Sequence, residues 1–209
     1  MEYYEQARVE MLAFLPHNTR RLLDIGCGDG LFGAAVKRRF PECETWGVEI
    51  VAEAAKKAAE YNDHIINCSL DDAADLPDGY FDVVSMNDVL EHIAWPARTL
   101  AAAKRMLAAH GKLILSLPNV AYYLNVRDLV FKNSWEYSDY GILDRTHLRF
   151  YTTRSAQQLL CENGYEVELI KGINETPPKL HYRLLFASAP RFFHWMRFPQ
   201  FAIVARPKS

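Results

Sequence analysis

The chain has 209 residues, half of them hydrophobic, and a formal net charge of −2. That length supports one sizeable core and is short for two ordinary domains, so residues 1–209 are expected to fold as a single domain. The charge balance excludes the bulk electrostatic attraction on which nucleic-acid binding relies. No run of about 18 apolar residues occurs, and Glu2 and Glu5 deny the N-terminus the cationic start of a secretion signal. Cys27, Cys43, Cys68 and Cys161 are scattered without a C-x-x-C pair, as in reduced small hydrophobes of a cytoplasmic protein.

Taken in order, Glu5 to Leu15 predicts a short helix with Ala7, Met11, Leu12 and Leu15 toward the body. Leu22-Leu23-Asp24-Ile25 reads as a buried strand. Gly26-Cys27-Gly28-Asp29-Gly30 follows as a loop with glycine at every second position, and Leu31 to Phe40 carries helical spacing. Strand, tight turn and helix N-terminus in that order form the first βα unit of a nucleotide-binding sheet. Glycines allow the backbone to approach a ligand there, and the helix N-terminus offers unpaired N–H groups. Gly28 to Gly33 literally matches G-x-G-x-x-G, with Glu49 about 20 residues on, as a dinucleotide would require. Asp24 and Asp29 oppose that reading, because each would approach a pyrophosphate at low dielectric. A cofactor with a cationic amine and a sulfonium, and no phosphate, suits them better. S-adenosylmethionine is such a molecule.

Glu44 to Glu49 predicts the second strand, Ala52 to Tyr61 a helix, and His64 to Ser69 a third strand running into Leu70-Asp71-Asp72. Tyr80 to Met86 is the fourth strand. Asn87 and Asp88 follow at the end of the strand that lines the ligand crevice in an open parallel sheet. Ala97 to Ala109 predicts a helix with a stop at His110-Gly111, and Lys112 to Leu117 a fifth strand closed by Pro118-Asn119. Val120 to Tyr151 interrupts the alternation; it is long and rich in Tyr, Trp, Asp and Arg, as functional lids are. Thr153 or Ser155 caps a helix over Ala156 to Glu162, which ends at Asn163-Gly164. Tyr165 to Ile170 and Phe201 to Ala205 read as the last two strands. Between them, Leu180 to Phe198 sets Arg183, Arg191 and Arg197 among aromatic and apolar residues, and no acid follows Glu175.

Leu23-Asp24-Ile25-Gly26-Cys27-Gly28-Asp29-Gly30 resembles the first motif of class I S-adenosylmethionine-dependent methyltransferases. The resemblance continues through Gly47-Val48-Glu49, Phe81 to Val84, Leu90-Glu91-His92 and Gly111 to Ser116, covering roughly Tyr3 to Ile170. It implies a Rossmann-like, doubly wound α/β fold with a seven-stranded, mostly parallel sheet and one antiparallel strand near the C-terminus. It also implies a cofactor site. Asp24, Gly26, Cys27 and Gly28 would hold the methionine end, with Tyr4 and Arg8 at its carboxylate and Asn87 and Asp88 near its amine. Glu49, beside Ile50, would take the ribose hydroxyls. Ser69 or Asp71, depending on register, would meet the adenine, with Leu70 across the ring. His92 is similar to a histidine that more often braces its loop than catalyses.

Pro118-Asn119-Val120, Trp135-Glu136-Tyr137 and above all Asp144-Arg145-Thr146-His147-Leu148-Arg149-Phe150 resemble a bacterial subgroup of that family associated with surface-glycan and glycosyl-transfer enzymes. A small-molecule oxygen acceptor, glycan-related, is the substrate this implies. A hydroxyl acceptor benefits from a general base, and His147 with Asp144 nearby is the best base on the chain. Arg145 and Arg149 suit an anionic substrate. The alternative is an internal network of Asp144, Arg145, Thr146 and His147 that fixes the lid without touching substrate. No compact Asp/Glu/His ligand set stands out along the sequence, which predicts no metal centre. Leu180 to Phe198 would pack on the sheet or on a second copy in a homodimer, close over the substrate, or touch a membrane surface weakly. Rival readings are a methionine-biosynthesis W-type protein, a cofactor-binding regulator without transferase activity, and a dinucleotide oxidoreductase.

Overall fold

The computed structural model describes residues 7–69, 76–175, 177 and 179–208. Tyr3, Tyr4, Leu70, Asp71 and Asp72, named above, lie outside the described residues. Seven strands, β1 (Arg21–Ile25), β2 (Glu44–Val48), β3 (His64–Ile66), β4 (Phe81–Asn87), β5 (Leu107–Pro118), β6 (Tyr165–Ile173) and β7 (Gln200–Pro207), form one sheet. Their spatial order is 3-2-1-4-5-7-6. The first five pair parallel, and β7 runs antiparallel to both β5 and β6. The expected mostly parallel sheet with a late antiparallel strand is what forms.

The central strands are nearly continuous apolar runs because both faces are covered. Alternate residues part to opposite sides. Leu22, Val83, Ile114 and Ala202 join Met11 and, from α1 (Leu31–Arg39), Phe32 and Val36. Leu23, Val84, Leu113, Leu115 and Ile203 join Leu100 and Ala103 of α3 (Pro96–Met106), while α2 (Ala52–Ala58) covers β2 and β3. Chain order reverses between β1 and β4, so their carboxyl ends frame the crevice where such sheets bind ligands.

Several boundaries differ from the sequence reading. The N-terminal helix is a 3-10 turn, Val9–Phe14, preceded by Arg8 in the left-handed conformation at φ 45°. The third helix stops at Met106 rather than Ala109, because Leu107 pairs with Phe81 in the sheet. Gly111 is therefore no helix stop: a Cβ there would lie 2.8 Å from the Phe81 carbonyl oxygen, so the glycine serves close strand approach. α5 (Thr153–Glu162) is capped by Thr152, whose hydroxyl accepts from the Ser155 N–H at 3.2 Å while Ser155 returns the contact.

The insertion after β5 opens with α4 (Tyr123–Lys132) and then runs irregularly to Tyr151. Asn119, 1% exposed, ties it down. Its side-chain amide donates to the carbonyls of Trp195 at 2.8 Å and Phe198 at 2.9 Å, and its carbonyl oxygen accepts from Ala121. The basic aromatic segment forms α6 (Leu180–Ser188) and two short turns, and packs Tyr182 and Phe186 against Tyr122 and Tyr123. Packing on the insertion is thus the contact this segment makes. No described helix is long and apolar enough to cross a membrane.

Asn119→Ala leaves the part-buried carbonyls of Trp195 and Phe198 without their donor, which costs about 2 kcal/mol. A lower urea midpoint is expected, together with faster amide exchange over 120–124 and 195–199. Unchanged exchange in those segments would show that Asn119 does not hold the insertion.

Candidate active site

The glycine loop is built by backbone necessity. Gly26, Gly28 and Gly30 all have positive φ, at 68°, 54° and 81°. A Cβ on Gly26 would also sit 2.7 Å from Val89 Cγ2, so the loop can pack against the exit of β4 only without one. The N–H groups of Gly26 and Cys27 donate to the Val48 carbonyl at 2.8 and 3.2 Å, fastening the loop to β2. Cys27 is buried, and burial pushes its thiol well up, so it forms wall rather than nucleophile.

Two carboxylates face this loop from inside the protein. Glu49 is 5% exposed, and its oxygens accept from the N–H groups of Gly28 and Val51, each at 2.9 Å. Each oxygen keeps a lone pair for a further donor. Asp24 is 3% exposed and accepts from the Ser85 hydroxyl at 2.7 Å. Burial raises its pKa to about 7, with the Glu49 charge adding to that rise and the Ser85 hydrogen bond opposing it. Asp29, the other acid of the charge reasoning, pairs with Lys57 at 3.1 Å. Glu49, held by backbone N–H groups alone, therefore replaces it as the second acid of the crevice. The Asn67 amide donates to the carbonyls of Glu49 and Ile50 at 2.7 and 3.2 Å, which fixes the chain where Ile50 stands exposed at the rim. Ser69 is half-buried just beyond.

On the other side of β1, Arg8 enters the crevice and binds the Asp88 carboxylate, and donates to Ser116 Oγ at 2.8 Å. Asp88 also accepts from Gln200 at 3.0 and 3.1 Å and from Ser116 at 3.0 Å, and holds a positive φ of 55°. Arg8 and Asp88, predicted to touch a ligand separately, are brought together. Asn87 is different: both polar atoms of its side-chain amide are buried without a partner. An orphaned amide beside two buried carboxylates and a Cβ-free loop fits a polar, cation-bearing ligand. It does not fit a phosphate. Ser85 and Ser116, which buttress Asp24 and Asp88, are hydroxyls within the apolar runs 83–86 and 113–117, the one signal by which the sequence marks them.

The insertion closes over the end of β4. Leu148 and Arg149 donate their N–H groups to the Glu91 carbonyl at 2.8 and 3.1 Å. Arg149 also reaches the carbonyls of Ile93 and Ala94, at 3.3 and 2.7 Å, and Arg145 pairs with Asp139 on an exposed face. Both arginines are thus engaged in holding the lid. Asp144 is 4% exposed and accepts from the Thr146 N–H and hydroxyl at 2.8 and 2.6 Å, so its carboxylate orients Thr146 and not the His147 ring.

His147, 6% exposed, is oriented instead by the Ile142 carbonyl, 3.0 Å from its Nδ1. A carbonyl only accepts, so Nδ1 carries the proton and Nε2 the lone pair. The imidazoles of His92 and His147 meet edge to face with centroids 4.8 Å apart. Burial, and then His147, lower the His92 pKa. Beneath them Glu91 is 1% exposed with neither carboxylate oxygen hydrogen-bonded; burial, and then the Asp88 charge, raise its pKa well above the carboxylate range. One nitrogen of each histidine and one Glu91 oxygen lie within 4.8 Å of one another. The expectation of no compact ligand set is therefore corrected: folding assembles one from residues 91, 92 and 147, which linear spacing conceals.

Comparison with known proteins agrees with this architecture. Residues 2–170 match the family model described as "Methyltransferase domain". The Ubiquinone biosynthesis O-methyltransferase of Psychrobacter arcticus is 27% identical over 179 residues, 79% of this chain and 66% of that protein. The mitochondrial enzyme of that name from Mus musculus is 26% identical over 174 residues, 78% of this chain and 45% of its own length. The chain thus spans less than two thirds of either relative. A SAM-dependent methyltransferase from Archaeoglobus fulgidus superposes with a TM-score of 0.71 at 20% identity, covering 95% of this chain and 91% of that one, and shares the fold. With the family model spanning most of the sequence, the chain belongs to the methyltransferase-domain family.

Proposed function

We propose that this chain methylates a hydroxyl oxygen of a small molecule held beneath the lid, with His147 as the general base. The observation that carries the reading is His147 itself: buried, locked by the Ile142 carbonyl with its lone pair on Nε2, and packed on His92 at the exit of β4. Bound S-adenosylmethionine supplies an electrophilic methyl group on a sulfonium. Asp24, Gly26, Cys27 and Gly28 shape the seat for its methionine end, and Glu49 accepts from the ribose hydroxyls. Ile50 and Ser69 flank the adenine, and the orphaned Asn87 amide gains its partner from the ligand. Arg8 answers the cofactor carboxylate by exchanging Asp88 for it. His147 takes the acceptor's proton, and the lid excludes water from the exchange. Asp144 acts at one remove, by fixing Thr146 and the turn that carries His147.

A glycan-related hydroxyl is the acceptor supported by the Asp144–Phe150 motif. A ring hydroxyl of a quinone precursor is the second reading, favoured by the names of the relatives and by the aromatic lid residues Trp135, Tyr137 and Phe150. An anionic sugar nucleotide loses support, since Arg145 and Arg149 are engaged within the lid. Incubation with methyl-labelled S-adenosylmethionine and a bacterial extract separates the two. Label in the water-soluble small molecules is expected for the glycan reading, and label in the lipid extract for the quinone reading. Label confined to macromolecules would overturn both.

His147→Ala should lower kcat by about 10²- to 10⁴-fold while leaving S-adenosylhomocysteine affinity within twofold. Equal losses of turnover and cofactor affinity would assign His147 a structural role instead.

The Asp24 carboxyl, at about 7, makes cofactor binding pH-dependent. A cationic ligand needs the carboxylate, so below that pH binding must first expel a proton, and affinity should fall up to tenfold per unit. The ligand-free protein behaves oppositely. A raised carboxyl pKa stabilises the fold fully below the ordinary carboxylate range, and that contribution is lost as pH rises to about 7. Calorimetric titration with S-adenosylhomocysteine from pH 5.5 to 8 should show the rise in affinity, and Asp24→Asn should flatten it. A wild-type profile that is already flat would remove Asp24 from the cofactor site.

A further inference from the structure

We infer that Glu91, His92 and His147 form a binding site for a divalent transition-metal ion, closed by the lid. The inference rests on their juxtaposition and not on the methyl-transfer reading. Two imidazoles and a carboxylate are a set that zinc-like ions take, with further positions left to water or substrate.

Three observations converge. The Glu91 carboxylate is 1% exposed and neither oxygen has a hydrogen-bond partner, a costly arrangement for a buried acid unless a cation completes it. Donor atoms of Glu91, His92 and His147 lie within 4.8 Å of one another. The outer contacts of both rings are those that ligating histidines make. His147 gives its Nδ1 proton to the Ile142 carbonyl. Thr146 has committed its single hydroxyl proton to Asp144 at 2.6 Å, so at 3.3 Å from His92 Nδ1 it can only accept. Each imidazole is thereby set in the tautomer that carries its lone pair on Nε2. Asp144 and Thr146, which do not orient the His147 ring, gain a purpose: they form a carboxylate–hydroxyl relay behind His92.

The span of 4.8 Å exceeds what two bonds of about 2.1 Å can bridge, so loading draws the groups together by roughly 1 Å. His147 belongs to the insertion, while Glu91 and His92 follow β4 directly. A bound ion would therefore pin the lid to the sheet, and by taking the Nε2 lone pair it would leave His147 unable to act as the base, so the two roles belong to the metal-loaded and the metal-free protein.

Titration of the purified full chain with Co²⁺ tests this by absorption, independently of turnover. One equivalent with visible d–d bands and no thiolate-to-cobalt charge transfer is expected. Glu91→Gln and His147→Asn should each weaken binding by about a hundredfold, and Thr146→Val by about tenfold. Metal-free melting temperatures and S-adenosylhomocysteine affinity, measured on each variant, report whether the fold and cofactor crevice are intact. Absence of d–d bands at one equivalent would overturn the site. So would a charge-transfer band placing cobalt on cysteine, or undiminished affinity in both ligand variants. None of those results would touch the label-transfer reading above.

Discussion

Three carboxylates buried at the carboxyl ends of neighbouring strands are what the rest of the site answers to. Asp24, Glu49 and Glu91 are each at most 5% exposed. Removing a charge from water costs several kcal/mol unless partners repay it, and the three are repaid unequally. Glu49 is held by two backbone N–H groups and Asp24 by one hydroxyl, while Glu91, whose oxygens have no hydrogen-bond partner, is pushed toward its protonated form. A crevice so arranged is selective by sign: it favours cations and polar donors and disfavours phosphate, which separates it from dinucleotide sites that use a similar glycine loop.

The lid is subordinate to the sheet in a physical sense. Its aromatic residues pack among themselves and on Tyr182 and Phe186, but its position relative to β4 is set by polar contacts. Backbone donors from Leu148 and Arg149 reach the Glu91 carbonyl, and the Asn119 amide grips the chain at Trp195 and Phe198. Directional bonds of this kind fix where a side chain such as His147 sits, whereas apolar packing would tolerate sliding. Catalysis by in-line displacement depends on that positioning more than on any single strong interaction.

Arg8 and Asp88 add a second level of organisation. Both hold left-handed backbone conformations that non-glycine residues rarely adopt, and they meet in an ion pair inside the crevice. Strain retained at such positions marks a place where the surrounding structure over-determines the backbone. A carboxylate ligand competing for Arg8 would release Asp88 to Ser116 and Gln200, which already contact it.

The sequence by itself determined the sheet, the loop and the negative crevice. Periodicity and glycine spacing are local properties, and Leu22 to Gly30, Glu44 to Glu49 and Phe81 to Val84 carry them without reference to the rest of the chain. It misplaced the end of the third helix and the cap before Ala156, since a strand pairing at Leu107 and a side-chain choice between Thr152 and Thr153 are decided by neighbours. Only the tertiary structure decided which groups face one another. It paired Arg8 with Asp88 across 80 residues, gave Asp29 to Lys57, and turned Asp144 toward Thr146. It also laid His147 on His92 above an unpartnered Glu91. Those outcomes turn on distance and burial, through which a carboxylate becomes a ligand, a salt-bridge partner or an uncompensated charge, and neither quantity exists until the chain has folded.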